Sequence, residues 1–137
     1  MRIKRPDFKD AQSLLEAARK EMAFTLQLVI TPESASTIIR NIYECFRMLG
    51  EALLTLRGIE STDHLQPVRA LMALAVETKR PLPVIDTLRK IRHNINYYGY
   101  QPGSDEAVEA VAIAQTCFEP LCQNIKSLAD SQNKVKV

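Results

Sequence analysis

The sequence predicts an all-α fold, an antiparallel bundle of four or five helices, on three observations. Apolar residues recur at three- and four-residue spacing through most of the chain. The segments so patterned are separated by short stretches that hold Pro, Gly or a capping Ser, Thr or Asp. No stretch alternates apolar and polar residues as a half-buried strand does. With 137 residues one core suffices, since a chain of this size buries roughly two thirds of its unfolded surface. A single domain over residues 1–137 is expected, with its core at about 7–130 and a polar tail, "SQNKVKV", that frays from residue 131.

The first helix is expected from Asp7 to about Val29, with Ala11, Leu14, Leu15, Ala18, Met22, Leu26 and Val29 on one stripe. Thr31-Pro32-Glu33 then reads as a helix start, Thr31 capping and Pro32 in the first turn. The second helix carries the strongest pattern, Ala35, Ile38, Ile39, Ile42, Phe46, Leu49, Leu53 and Leu56, and is expected to be central, with Gly58 stopping it. A third helix starts in "STDHLQP", where Ser61, Thr62 or Asp63 caps it, and continues through "VRALMALAVE". Pro83 opens the fourth, whose buried candidates are Val84, Leu88, Ile91, Ile95 and Tyr98, with Gly99 as left-handed terminator. Ser104 caps the fifth, whose first turn carries Asp105 and Glu106; its stripe is Val108, Val111, Ala112, Phe118, Leu121, Cys122 and Ile125, and Pro120 is expected to kink it.

Composition narrows the function less than the fold. A hydrophobic share of 46% with 25% charged residues is that of an ordinary globular chain, and a net charge of +2 is too small to imply a nucleic-acid partner through the global field. Any basic signal must be local. The longest apolar stretches are well short of a membrane span, and "MRIKRPDFKD" lacks the apolar block of a secretory signal. Cys45, Cys117 and Cys122 are odd in number, form no CxxC pair and sit in apolar helical contexts, so reduced thiols in a cytoplasmic protein are expected. The chain carries no Gly-rich phosphate loop, nucleophile elbow, HExxH or carboxylate cluster; neither a metal nor a cofactor is expected.

The chemistry concentrates in "RKIRHNINYYGY", residues 89–100, which holds two arginines, a lysine, a histidine, two asparagines and three tyrosines. Residues three or four apart on a helix are neighbours, so Arg89 meets His93, Arg92 meets Asn96, and His93 meets Tyr97. Guanidinium groups bind phosphate oxygens bidentately and an imidazole moves a proton near neutrality, so a phosphodiester or nucleotide is the natural guest of such a face. A second reading stands beside it, because cations in the last turns of a helix are favoured by the dipole alone, by about 0.3–1 kcal/mol each. The dipole does not account for the asparagines and tyrosines. His64, the other histidine, lies near a helix start, where it serves either in the capping turn or as a further ligand-binding group.

The helical layout, the "RGIESTDHLQPV" segment and "LRKIRHNINYYG" together resemble the HEPN family, the higher eukaryotes and prokaryotes nucleotide-binding domains, over nearly the whole chain. The resemblance implies a small helical bundle that dimerises, either as a metal-independent RNase, as a toxin paired with a small nucleotidyltransferase, or as a nucleotide- or nucleic-acid-binding module. By position Arg92 matches the family arginine and His93 the polar residue after it, while Tyr97 stands where the active members carry histidine. That is a departure, since a phenol is a poor base near neutrality and does not replace an imidazole as proton acceptor. In the toxin branch a tyrosine two places beyond the histidine receives nucleotides; Gly99 stands there, flanked by Tyr98 and Tyr100.

The expectation is therefore a cytoplasmic homodimer that builds a shared basic cleft from Arg89, Arg92, His93, Asn96 and Tyr97, with His64 as a further candidate, and binds RNA or a nucleotide. Arg92 and His93 are the candidate catalytic pair of the endoribonuclease variant. The competing expectation is a protein-interaction module that docks a nucleotidyltransferase partner through the same face.

Overall fold

The computed structural model describes residues 2–135, with side chains described for residues 2–132. It is an all-α bundle of five helices with one very short strand pair. The helices are α1 (Phe8–Thr25), α2 (Ala35–Arg57), α3 (Gln66–Met72), α4 (Ile85–Tyr98) and α5 (Ser104–Val135), and the strands are β1 (Arg2–Ile3) and β2 (Ile59–Glu60). The central element is α2, which packs against all four other helices. Every residue of its sequence stripe is buried, and so are Tyr43, Cys45, Ala52, Leu54 and Thr55 on its other sides. Phe46 meets Phe118 of α5 edge to face at 5.6 Å between ring centroids, an arrangement that aromatic quadrupoles favour.

Local chemistry sets most of the helix ends. Asp7 caps α1, its Oδ1 accepting from the Asp10 N–H at 2.9 Å. Thr31 and Ser34 form a reciprocal pair ahead of α2: the Ser34 N–H donates to Thr31 Oγ1 at 3.1 Å and the Thr31 N–H to Ser34 Oγ at 2.9 Å. Of the three candidate caps for α3, Asp63 does the work, accepting from the N–H groups of Leu65 and Gln66 at 2.8 and 2.7 Å. Both helices expected to stop at glycine do so in the left-handed region, Gly58 at φ 70° and Gly99 at φ 64°. A single 3₁₀ turn, Leu82–Val84, holds Pro83 and leads into α4. The cap of α5 is one residue earlier than expected: the Gly103 carbonyl accepts from the Glu106 and Ala107 N–H groups, and Ser104 is already helical.

Five further expectations are corrected. First, α1 ends at Thr25 rather than near Val29: the Gln27 and Leu28 N–H groups donate to the Phe24 and Thr25 carbonyls three residues back, which tightens the chain into the turn before α2, and Val29 is left exposed. Second, α3 stops at Met72 although "ALAVE" beyond it is good helix-forming sequence. The chain must turn back there so that Leu82 and Ile85 reach the core. Third, β1 pairs antiparallel with β2, Arg2 opposite Glu60 and Ile3 opposite Ile59, in strands too short to leave an alternating pattern. Fourth, Val108 is exposed because the buried face of α5 is set by Ile113 and by Ala107, Ala110 and Ala114, whose small side chains allow close helix approach. Fifth, Tyr98 is exposed, for a reason given below. Helix α5 continues through Val135, beyond the expected start of fraying, and the last two residues of the tail lie outside the described residues.

Cys45, Cys117 and Cys122 are buried free thiols, and burial pushes Cys45 up to about 12 and Cys122 up to about 11. No described helix is long and apolar enough to cross a membrane.

The approach of α3 to α2 depends on Gly50, where a Cβ would overlap the Pro67 carbonyl and lie 2.9 Å from the Pro67 Cβ. Gly50→Ala, otherwise a helix-favouring change, should destabilise the fold by about 1–3 kcal/mol or more in chemical denaturation, because backbone cannot rotate out of the way as a side chain can. A stability equal to or above wild type would show that α3 is not held against α2 as described.

Candidate functional site

Burial falls away along α4. Ile85 and Leu88 are fully buried, Ile91 and Ile95 are half-buried, and Tyr97 and Tyr98 are 67% and 77% exposed. The apolar stripe that anchors the helix is thus used up by its third turn, and the last turn projects past the core. This is why Tyr98, although in register with Ile91 and Ile95, is not covered.

The sequence-predicted residues separate into two groups on this helix. Arg89 and Arg92 face the edge of α2. The guanidinium of Arg92 lies 5.6 Å from the ring centroid of Tyr43, within cation–π range, and Tyr43 itself is buried. Arg89 donates from Nε to Asp86 Oδ1 at 2.6 Å, and Lys90 lies 3.6 Å from the other oxygen of the same carboxylate. His93 belongs to the outward group. Its ring centroid is 4.7 Å from that of Tyr97 and 5.8 Å from that of Tyr98, so the imidazole neighbours both phenols. Asn96 is exposed one turn beyond Arg92. His64 is exposed in the loop before α3, next to the capping Asp63, and no described contact brings it to the α4 residues.

Three site residues escaped the sequence reading. Tyr43 and Arg47 of α2 complete the patch: burial raises the Tyr43 phenol above its ordinary value, while Arg92, Arg89 and Arg47 pull it down. No spacing within α2 signals that these side chains meet α4, since the contact is tertiary. Asp86 was legible, because it stands three residues before Arg89 and four before Lys90. Its pairing with Arg89 holds its carboxyl below the usual range. Beside this patch Leu65 at the start of α3, Val68, Arg69 and Met72 from α3, and Asp86 and Arg89 from α4 line a shallow groove.

The charges do not balance evenly. Arg47 is held by Glu44 and Glu51, and Arg89 and Lys90 share Asp86, whereas Arg92 makes no ion pair among the described residues. An uncompensated, half-buried guanidinium propped on an aromatic ring is suited to a bidentate anion. His93 packs on Tyr97 and Tyr98, and no described contact joins its ring to Arg92. No group of three or more His, Cys, Asp or Glu among the described residues is placed to hold a metal ion.

No family model, curated protein or solved structure matches this chain.

The raised Tyr43 value implies stability that is complete below pH 10.0 and is lost as pH rises through the folded-state value, since the unfolded phenol ionises first. Ultraviolet difference titration of wild type against Tyr43→Phe should therefore isolate a phenol ionising above 10.0. A value at or below 10.0 would mean that the three arginines, and not burial, govern the ring.

Proposed function

We propose that this chain is a HEPN-like helical domain that binds RNA or a nucleotide through the basic face of α4, in a homodimer whose two copies of that face enclose the ligand. The observation that carries the reading is Arg92, a half-buried guanidinium stacked on Tyr43 with no carboxylate partner among the described residues, beside Arg89 and Arg47. Its N–H donors are not taken up by a carboxylate among the described residues and are open to an anion. Phosphate is the anion whose geometry a guanidinium matches best. The dimer supplies what one copy lacks: a single helix face is convex, and the exposed end of α4 leaves half-buried Ile91 and Ile95 at its margin for a two-fold partner to cover.

Binding fits this geometry better than cleavage. Proton transfer and charge stabilisation must converge on one phosphate, and a displacement of about 1 Å costs roughly a hundredfold in rate. His93 and Arg92 are adjacent in sequence but engage different neighbours, the one Tyr97 and Tyr98, the other Tyr43.

Two substitutions of opposite sign test the reading by fluorescence anisotropy with a short RNA across a salt series. Arg92→Ala should weaken binding by about tenfold to a hundredfold and flatten the salt dependence by about one phosphate contact. Asp86→Asn, which releases Arg89 and Lys90, should strengthen it. Salt-insensitive binding, or no binding by the folded protein, would exclude the proposal and favour a docking module for a nucleotidyltransferase; RNA cleaved in EDTA by wild type but not by His93→Ala would restore the enzyme.

A further inference from the structure

We propose that the end of α4 takes unpaired nucleobases, stacked on Tyr97 and Tyr98, so that the ligand of the basic face is a single strand and not a duplex; the inference rests on the preceding reading. Three of the four tyrosines in the chain fall between residues 97 and 100, and all three are exposed, at 67%, 77% and 42%. Leaving such rings in water forgoes the burial that drives folding, and among the described residues only the His93 ring packs on Tyr97 and Tyr98, which leaves most of both rings open. Tyr100 differs, since its hydroxyl donates to Glu106 at the start of α5 and ties that ring down.

The two open rings are already positioned. His93 contacts each of them, its plane inclined 42° to Tyr97 and 67° to Tyr98. Gly99 ends the helix in the left-handed region, and the exposure of 67% and 77% shows that the segment after it leaves both rings largely uncovered. The occupant is indicated by what surrounds them. From His93 to Gln101 no aliphatic side chain is exposed, and the neighbours are the amides of Asn94 and Asn96. An aromatic face bordered by amide donors and acceptors suits a flat base with polar edges, and Arg92, one turn back, suits the adjoining phosphate. A duplex hides its base faces, and its deep, narrow major groove does not admit a helix end.

Anisotropy with equal-length single-stranded RNA, single-stranded DNA and blunt duplex RNA tests this. Wild type should prefer the single strands by at least about tenfold at a salt concentration that screens phosphate contacts, and Tyr97→Leu/Tyr98→Leu should lose that preference while Tyr97→Phe retains it. Circular dichroism confirms that the exposed double substitution leaves the fold intact. RNA bound above DNA would assign the strand as RNA, and equal binding would assign recognition to the bases; both support stacking. Equal affinity for duplex and single strand, unchanged in the double variant, overturns the inference and leaves phosphate binding standing. Absence of all binding overturns both. A double variant that binds single strands normally but sediments as a smaller species assigns the rings to a protein interface and also overturns it.

Discussion

Helix α2 has to be covered over most of its circumference, all but the face of Thr37 and Arg40. Its residues Ile38, Ile39, Ile42, Phe46, Leu49 and Leu53 are fully buried, and so are Cys45 and Ala52 off the main stripe, so a single partner helix would leave apolar area exposed. At about 25 cal/mol per Å² of apolar surface removed from water, this coverage is the largest favourable contribution in the molecule. It dictates where the other helices go. Helix α3 approaches so closely that only glycine fits at position 50, and α5 presents alanines and Cys117 because its backbone must come near. The small strand pair, by contrast, closes the chain over Gly58 and contributes little to the core.

The same demand explains the exposed end of α4. That helix needs only Ile85 and Leu88 fully buried to complete the coverage of α2, and its remaining turns continue past the core. What lies there is unusual in composition: one cation without a carboxylate partner among the described residues, and two phenols that an imidazole contacts. Stability does not require these groups there. The dipole of α4 favours cations at this end, and Arg89 and Lys90 are satisfied by Asp86. Neither effect accounts for Arg92 or the tyrosines, and those are the residues on which the functional proposal rests.

The legible part of the fold was that fixed by local chemistry and by bulk. The stripe of α2 and the left-handed glycines 58 and 99 read directly from residue type and spacing, and Asp63 was among the three candidate caps of α3; α2 instead begins at Ala35, after a Thr31–Ser34 turn, and not at Pro32. What failed depended on tertiary placement. The end of α3 is set by where the chain must return, the face of α5 by alanines that periodicity weighs less than valine, and the exposure of Tyr98 by the edge of the core. The site divides in the same way. Arg89 and Arg92 share a patch as their spacing implies, and His93 meets Tyr97. Tyr43 and Arg47 are invisible to a one-helix reading, and His64 is not brought to the patch by any described contact.

An NMR titration of the isotopically labelled protein with a short single-stranded RNA tests the placement of the site most directly. Chemical-shift changes should concentrate on Arg89, Arg92, His93, Asn96, Tyr97 and Tyr98, with the Tyr43 ring responding through Arg92. Shifts centred instead on the face formed by Val76, Thr78 and Gln115, or no shifts at saturating RNA, would contradict the assignment of the end of α4 as the binding surface.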